Sequence, residues 1–146
     1  MSAALKILVP VDGSVRSLQA VQHVLDLVLR GLAVEVHLLN VQRPVRGAAA
    51  MLVARSDLDS YHRDEGMTAL AGAVQALKVG GVVAHLHVAV GAPGEMVLAF
   101  VRRLRCALVV MGTRGYGGGV AGAVMGSVAS DVVTGASVPV TLLNAG

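Results

Sequence analysis

The chain has 146 residues, 55% of them apolar and only 14% charged, with a formal charge of +3. Its length suits one domain, 1–146, with a full hydrophobic core. Two Tyr, one Phe and no Trp leave no platform for stacking bases, and the basic residues are scattered apart from Arg102, Arg103 and Arg105, so nucleic acid is not an expected partner. Gly, His or Pro interrupts every apolar run before the roughly 20 residues that a membrane span needs. The opening MSAALKILVPVDG has no basic region followed by a long apolar core and a cleavage site. A soluble, cytoplasmic protein is the expectation. A single cysteine, Cys106, excludes an internal disulfide and a cysteine-based metal site.

Leu5 to Val11 reads as a short buried strand that ends at Asp12-Gly13-Ser14. Ser14 suits the cap of a helix whose apolar residues Leu18, Val21, Val24, Leu25 and Val28 recur at three and four, and Gly31 ends it. Ala33 to Val41 is a second strand, followed by an irregular stretch from Gln42 to Arg55. A helix then starts at Ser56 or Asp57 and runs to about Val79, where Gly80-Gly81 stops it. Val82 to Val90 alternates as a third strand. Pro93 and Glu95 suit the start of a helix that reaches about Arg105. The apolar run Ala107 to Met111 is a fourth strand, Ser127 to about Thr134 a last helix, and Val138 to Leu143 a fifth strand.

This β-α-β-α-β-α-β-α-β order implies an open parallel sheet with helices on both faces, closed by right-handed crossovers. Ligands of such sheets sit beyond the carboxyl ends of the strands, where the strand order reverses. Val11-Asp12-Gly13, Asn40-Val41 and Met111-Gly112 occupy those ends and make one crevice for a mononucleotide. The segment after Met111 strengthens that reading. Gly112 and Gly115 open a glycine-rich loop, Gly126-Ser127 closes it at a helix start, and no charged side chain lies between Arg114 and Asp131. A bare glycine loop brings backbone N–H groups close to a ligand, and a Ser at a helix N-terminus adds a hydroxyl and a positive helix end. Phosphate is the expected anion.

ILVPVDGS at 7–14, VGAPGE at 90–95, MGTRG at 111–115, MGSVA at 125–129 and VPVTLL at 138–143 together resemble the universal stress protein family, in fixed order from end to end of the chain. The resemblance implies a Rossmann-like α/β nucleotide-binding fold with sheet order 3-2-1-4-5. It also implies ATP or AMP as ligand, with Mg accompanying it. In the ATP-binding branch the motif runs Gly, two residues, Gly, nine residues, then Gly-Ser or Gly-Thr. Carried over, Gly112, Gly115, Gly126 and Ser127 meet the phosphates and ribose. Asp12 and the backbone of Val41 hold the adenine end, with Val11, Met111 and Val128 beside them. Dimerisation through the last strand would place Val138 to Leu143 at a homodimer interface. The departure is in the loop, where ten residues, Tyr116 to Met125, stand where the pattern has nine.

Each residue also has a plainer role. Asp12 suits an Asx-turn and Ser127 an N-cap; Arg114 reaches either a phosphate or solvent. Gly117 to Gly122 spells G-x-G-x-x-G, but no strand directly precedes it and no acidic residue follows at the required distance; no Lys precedes Ser127 as a Walker A motif requires. His85 and His87 share a face of the third strand and His37 lies on the second. Nothing supplies a third ligand at a recognisable spacing, so packing or surface is expected and no metal site is assigned. Phosphoryl transfer needs a metal-holding carboxylate, a positioned nucleophile and a cation, and only Asp12 and Arg114 are on hand. The resemblance implies a nucleotide-binding regulator of the stress response with an unidentified protein partner, and the missing groups imply no catalytic residues. The alternatives are a nucleotide-free dimeric scaffold of the same fold, and a weak ATPase or self-phosphorylating protein.

Overall fold

Five strands, β1 (Leu5–Pro10), β2 (Val34–Gln42), β3 (His85–Val90), β4 (Leu108–Gly112) and β5 (Val140–Leu143), form one sheet in the order β3-β2-β1-β4-β5. Every pairing is parallel, as the alternation of strands and helices requires. The structure is a computed structural model and describes residues 3–47, 51–113 and 125–144.

Among the described residues, helices α1 (Val15–Leu29), α2 (Arg55–Val79), α3 (Pro93–Leu104) and α4 (Ser127–Gly135) cover the two faces of the sheet. Successive strand residues point to opposite faces, so the buried run in β1 is divided. Ile7 and Val9 pack with Ala20, Val21 and Val24 of α1 and Leu70, Ala73 and Leu77 of α2. Leu8 packs instead with Val97, Phe100 and Val101 of α3 and Val128, Ala129 and Val132 of α4. Burial on both faces is why the central strands read as unbroken apolar runs. It also makes each substitution there expensive, at about 2–5 kcal/mol for truncating a large aliphatic side chain to Ala.

Two strands start two or more residues later than their apolar runs suggest. β3 begins at His85 rather than Val82 because the end of α2 is still being closed there. Gly81 donates to the Lys78 carbonyl at 3.0 Å and Val82 to that of Leu77 at 2.8 Å, with Gly81 at φ +80°. Such a left-handed residue after a helix is most easily a glycine. β5 begins at Val140 rather than Val138; Pro139 has no N–H to give the ladder, although its carbonyl accepts from Val109 N at 3.0 Å. Among the described residues, no helix is long and apolar enough to cross a membrane.

Candidate functional site

From β1 the chain moves outward through β2 to β3, then returns to place β4 on the other side of β1. The order therefore reverses between β1 and β4, and their carboxyl ends flank the crevice. β1 and β4 pair with Ile7 opposite Leu108 and Leu8 opposite Val109. Continued along the strands, that register sets Val11 level with Gly112 and Asp12 level with Thr113. On the other side Pro10 lies opposite Leu39, which brings Asn40 and Val41 level with Val11 and Asp12.

Asp12 adopts the turn its neighbours suggest. Its Oδ1 accepts from Ser14 N at 2.9 Å and from Ser14 Oγ at 2.6 Å, while Ser14 Oγ accepts from Ser17 N at 3.2 Å and caps α1. Gly13, at φ +88°, lies against α2, where an added Cβ would stand 3.3 Å from Ala69. A side chain here would meet both a strained backbone and a close neighbour. Sequence reasoning placed Asn40 at the strand end without giving it a role. It is buried, donates from Nδ2 to the Val11 carbonyl at 2.8 Å, and accepts at Oδ1 from Gln42 Nε2 at 2.6 Å. A polar residue inside the apolar run of β2 was the signal for it.

The far wall is built by β4 and α4. Thr113 donates its N–H to the Leu143 carbonyl at 2.9 Å, and Gly126 donates its own to the Thr113 carbonyl at 2.6 Å. The two ends of the intervening segment are thus joined by a backbone hydrogen bond at the rim of the crevice. Gly126, extended at φ −71° and ψ 167°, is the N-cap of α4; Ser127 is its first helical residue and makes no capping bond. The cap reading for Ser127 is therefore corrected by one position, because a capping residue must have non-helical angles and Ser127 has helical ones. Its side chain stays exposed. Arg114, Gly115 and the loop glycines 117–119 lie outside the described residues.

The apolar candidates separate. Val41, Met111 and Val128 pack together in the core under α3 and α4. Val11 is fully buried on the opposite face, under α1 and α2. Its side chain is core, its N–H donates to the Leu39 carbonyl at 2.8 Å and its carbonyl accepts from Asn40.

A second polar cluster lies at the amino ends of β2 and β3. Their register puts His37 opposite His85, with ring centroids 4.7 Å apart and nearly parallel. The ring of His87 also lies against His37, with centroids 5.2 Å apart. His37 Nδ1 is 2.9 Å from His87 Nε2, and His37 Nε2 is 2.7 Å from Glu35 Oε2. The hydrogen bond from His37 holds the Glu35 carboxyl below its usual range; burial opposes this, and Lys6, His37 and His85 add to it. Burial, helped by His37 and His85, depresses the His87 pKa. The sequence showed these histidines but not the register that collects them. Glu35, two residues before His37 on the same face, was the overlooked neighbour.

The chain matches the sequence profile described as the universal stress protein family over residues 4–144. It is 29% identical over 145 residues to universal stress protein MJ0531 of Methanocaldococcus jannaschii, covering 94% of this chain and 81% of that protein. Among solved structures it resembles the hypothetical protein MJ0577, with a TM-score of 0.82, 23% identity and 99% of both chains covered. It also resembles a universal stress protein in complex with cAMP, with a TM-score of 0.72, 22% identity and coverage of 99% of this chain and 100% of that one. Family proteins from Arabidopsis thaliana with AMP bound and from Archaeoglobus fulgidus in complex with dAMP share the fold, with TM-scores of 0.69 and 0.64 and identities of 20% and 23%; they cover 97% of this chain in each case and 92% and 98% of their own.

Proposed function

The chain belongs to the universal stress protein family, and on that footing we propose that it is a regulatory nucleotide-binding protein. Its ligand is ATP or AMP, seated at the carboxyl ends of β1 and β4, and occupancy governs which protein partner it engages. The observation that carries this reading is the hydrogen bond from Gly126 N to the Thr113 carbonyl. It ties the N-terminus of α4 to the end of β4, at the reversal of strand order. The first N–H groups of a helix have no acceptor within it and favour an anion. Gly112 and Gly126 present no side chain to obstruct it, and the exposed Ser127 hydroxyl stands beside it. Arg114 and Gly115 complete the proposed phosphate contacts.

These donors fit a phosphate group, whose negative charge they would stabilise. Asp12, steadied by Ser14, suits the hydroxyl and base-edge donors of a nucleoside, with the Val41 backbone alongside. Met111 and Val128 bound the apolar side, and Val11 ties the end of β1 to β2 through its backbone. Mg would accompany a triphosphate. Oδ1 of Asp12 already accepts two hydrogen bonds from Ser14, which favours a binding role over phosphoryl transfer. The cAMP, AMP and dAMP complexes of similar folds support an adenine ligand. The same reading includes a cytoplasmic homodimer joined through Val138 to Leu143, since β5 is an edge strand with donors and acceptors to offer a second copy.

Calorimetry of the full chain with ATP and with AMP tests the proposal. At least one is expected to bind tighter than about 1 mM, roughly −4 kcal/mol. Weaker binding of both overturns it in favour of a nucleotide-free dimeric scaffold.

A further inference from the structure

The imidazole cluster lies at the amino ends of β2 and β3, away from the proposed nucleotide crevice at the carboxyl ends. We propose that Glu35, His37 and His85 form a binding site for a divalent first-row transition cation, with Zn²⁺ as its representative. The site is independent of the nucleotide.

The geometry carries this. One donor atom each from Glu35, His37 and His85 lies within 4.8 Å of the other two. Ligands sharing a tetrahedral zinc, with bonds of about 2.0–2.2 Å, stand nearer 3.4 Å apart. The widest pair must therefore close by about 1.4 Å at most, while Glu35 Oε2 and His37 Nε2, 2.7 Å apart, must open by about 0.7 Å. His85 is exposed and can turn out of its stack on His37, which brings both rings edge-on to the metal, and Glu35 is half-buried near the amino end of β2. His37, the central ligand, is buried and fixed by the β2–β3 register.

The donor set selects the cation. Two imidazoles and one carboxylate, with no thiolate, suit zinc and its neighbours, whereas calcium and magnesium prefer an all-oxygen shell. The second contact of the central ring is also of the kind metal-bound histidines make. With Nε2 on the metal, His37 carries its proton on Nδ1 and donates it to His87 Nε2, already 2.9 Å away. That hydrogen bond sets tautomer and ring orientation. In the metal-free arrangement, a proton bridges His37 Nε2 and Glu35 Oε2 at 2.7 Å; the cation takes the place of that proton. Lys6 Nζ, 3.9 Å from Glu35 Oε2, is displaced from the carboxylate as the metal enters and tempers its affinity.

Full-length protein free of any affinity tag is titrated with ZnCl₂ by calorimetry, and Co²⁺ is bound in parallel as a spectroscopic probe. One Zn²⁺ per chain is expected, with visible Co²⁺ absorption of a low-coordinate site and no binding of Mg²⁺ or Ca²⁺ at the same concentrations. His85→Ala, at an exposed position, and Glu35→Gln, at a half-buried one, should each weaken Zn²⁺ at least about tenfold and remove the Co²⁺ bands. His23→Ala, on α1 across the sheet, should change neither. Absence of Zn²⁺ binding in the wild type, or binding that His85→Ala leaves unaltered, overturns the assignment. Ser127→Glu is expected to leave Zn²⁺ binding intact, which separates this site from the nucleotide site.

Discussion

Gly126 and Thr113 close the β4–α4 segment with one backbone hydrogen bond of 2.6 Å, so both ends of that segment are held whatever its length. This bears on the extra residue among the ten between Gly115 and Gly126. Loop-closure cost rises only with the logarithm of length, about 0.6 kcal/mol per doubling. Removing Gly118 restores the nine-residue spacing and should change unfolding free energy by less than about 0.5 kcal/mol, measured by urea titration. AMP affinity should stay within a few-fold. A large gain in affinity would show that the extra residue, and not the anchors, limits binding.

Ser127→Glu separates phosphate binding from folding. An acidic residue in the first turn of a helix is favourable by about 0.3–1 kcal/mol, so α4 should be at least as stable as before. The same carboxylate would repel a phosphate at the helix N-terminus. The expected outcome is an unchanged or slightly raised Tm, a sedimentation coefficient equal to that of the wild type, and loss of ATP and AMP binding by calorimetry.

The fold was legible because its signals are local. Apolar runs, the Ser14 cap and the Gly80-Gly81 stop each act within a few residues, and together they lead to an open parallel sheet; its 3-2-1-4-5 order was legible only through the family resemblance. Boundaries failed where one element borrows backbone groups from another. Val82 is still bonded to Leu77 of α2, and Pro139 cannot donate to its neighbour. The crevice was half legible. Strand ends point to Asp12, Val41 and Gly112, but the face each side chain takes decides what it offers, and that face turns Val11 into core. The histidines were least legible. Their meeting depends on the registration of His37 with His85 across two strands, which no spacing along the chain encodes.

Cys106 should behave as a packed thiol. It is buried, and burial pushes its pKa above the ordinary 9.0, with Lys6 pulling down and Glu35 pushing up. A native pKa above the unfolded one means that the native state holds the proton more tightly. Its contribution to stability is complete below the unfolded value and is lost as pH rises through the native one. Above about pH 9 the wild type should lose stability more steeply than Cys106→Ala, as followed by urea titration across that range. At neutral pH a disulfide reagent should modify Cys106 only at the rate of unfolding.

Gly66 lets α2 lie close to β3. A Cβ built there would stand 2.5 Å from Val88 Cγ1 and 2.6 Å from Cγ2. Gly66→Ala gains helix propensity of about 1 kcal/mol, but the overlap with a packed β-branched side chain should cost about 1–3 kcal/mol. Val88→Ala removes the obstructing methyls. The double variant should therefore be more stable than the sum of the single effects predicts, by about 1 kcal/mol or more, a coupling within the usual range for residues in contact. Additivity in thermal or urea unfolding would mean that α2 shifts away from β3 at little cost.

Asn40 is the buried polar link between the core and the crevice. Its amide joins the Val11 carbonyl to the Gln42 side chain, and Gln42 in turn accepts from Gly91 N at 2.9 Å through its own carbonyl. The carboxyl ends of β1, β2 and β3 are thereby tied together, and Asp12 is the residue that follows Val11. Asn40→Ala removes both side-chain hydrogen bonds and leaves Gln42 without this acceptor. Losses of this kind at a buried site cost about 1–3 kcal/mol. At roughly 2–4 °C per kcal/mol for a chain of this size, Tm should fall by about 2–12 °C. Because Val11 and Asp12 are positioned through this amide, adenine-nucleotide affinity should fall with it, even at temperatures where the variant is fully folded. Asn40→Asp keeps an acceptor for Gln42 but puts an oxygen against the Val11 carbonyl, so it should be at least as damaging as Ala. If calorimetry found Asn40→Ala destabilised but binding AMP as the wild type does, the amide would be a core link alone, with no part in aiming Asp12.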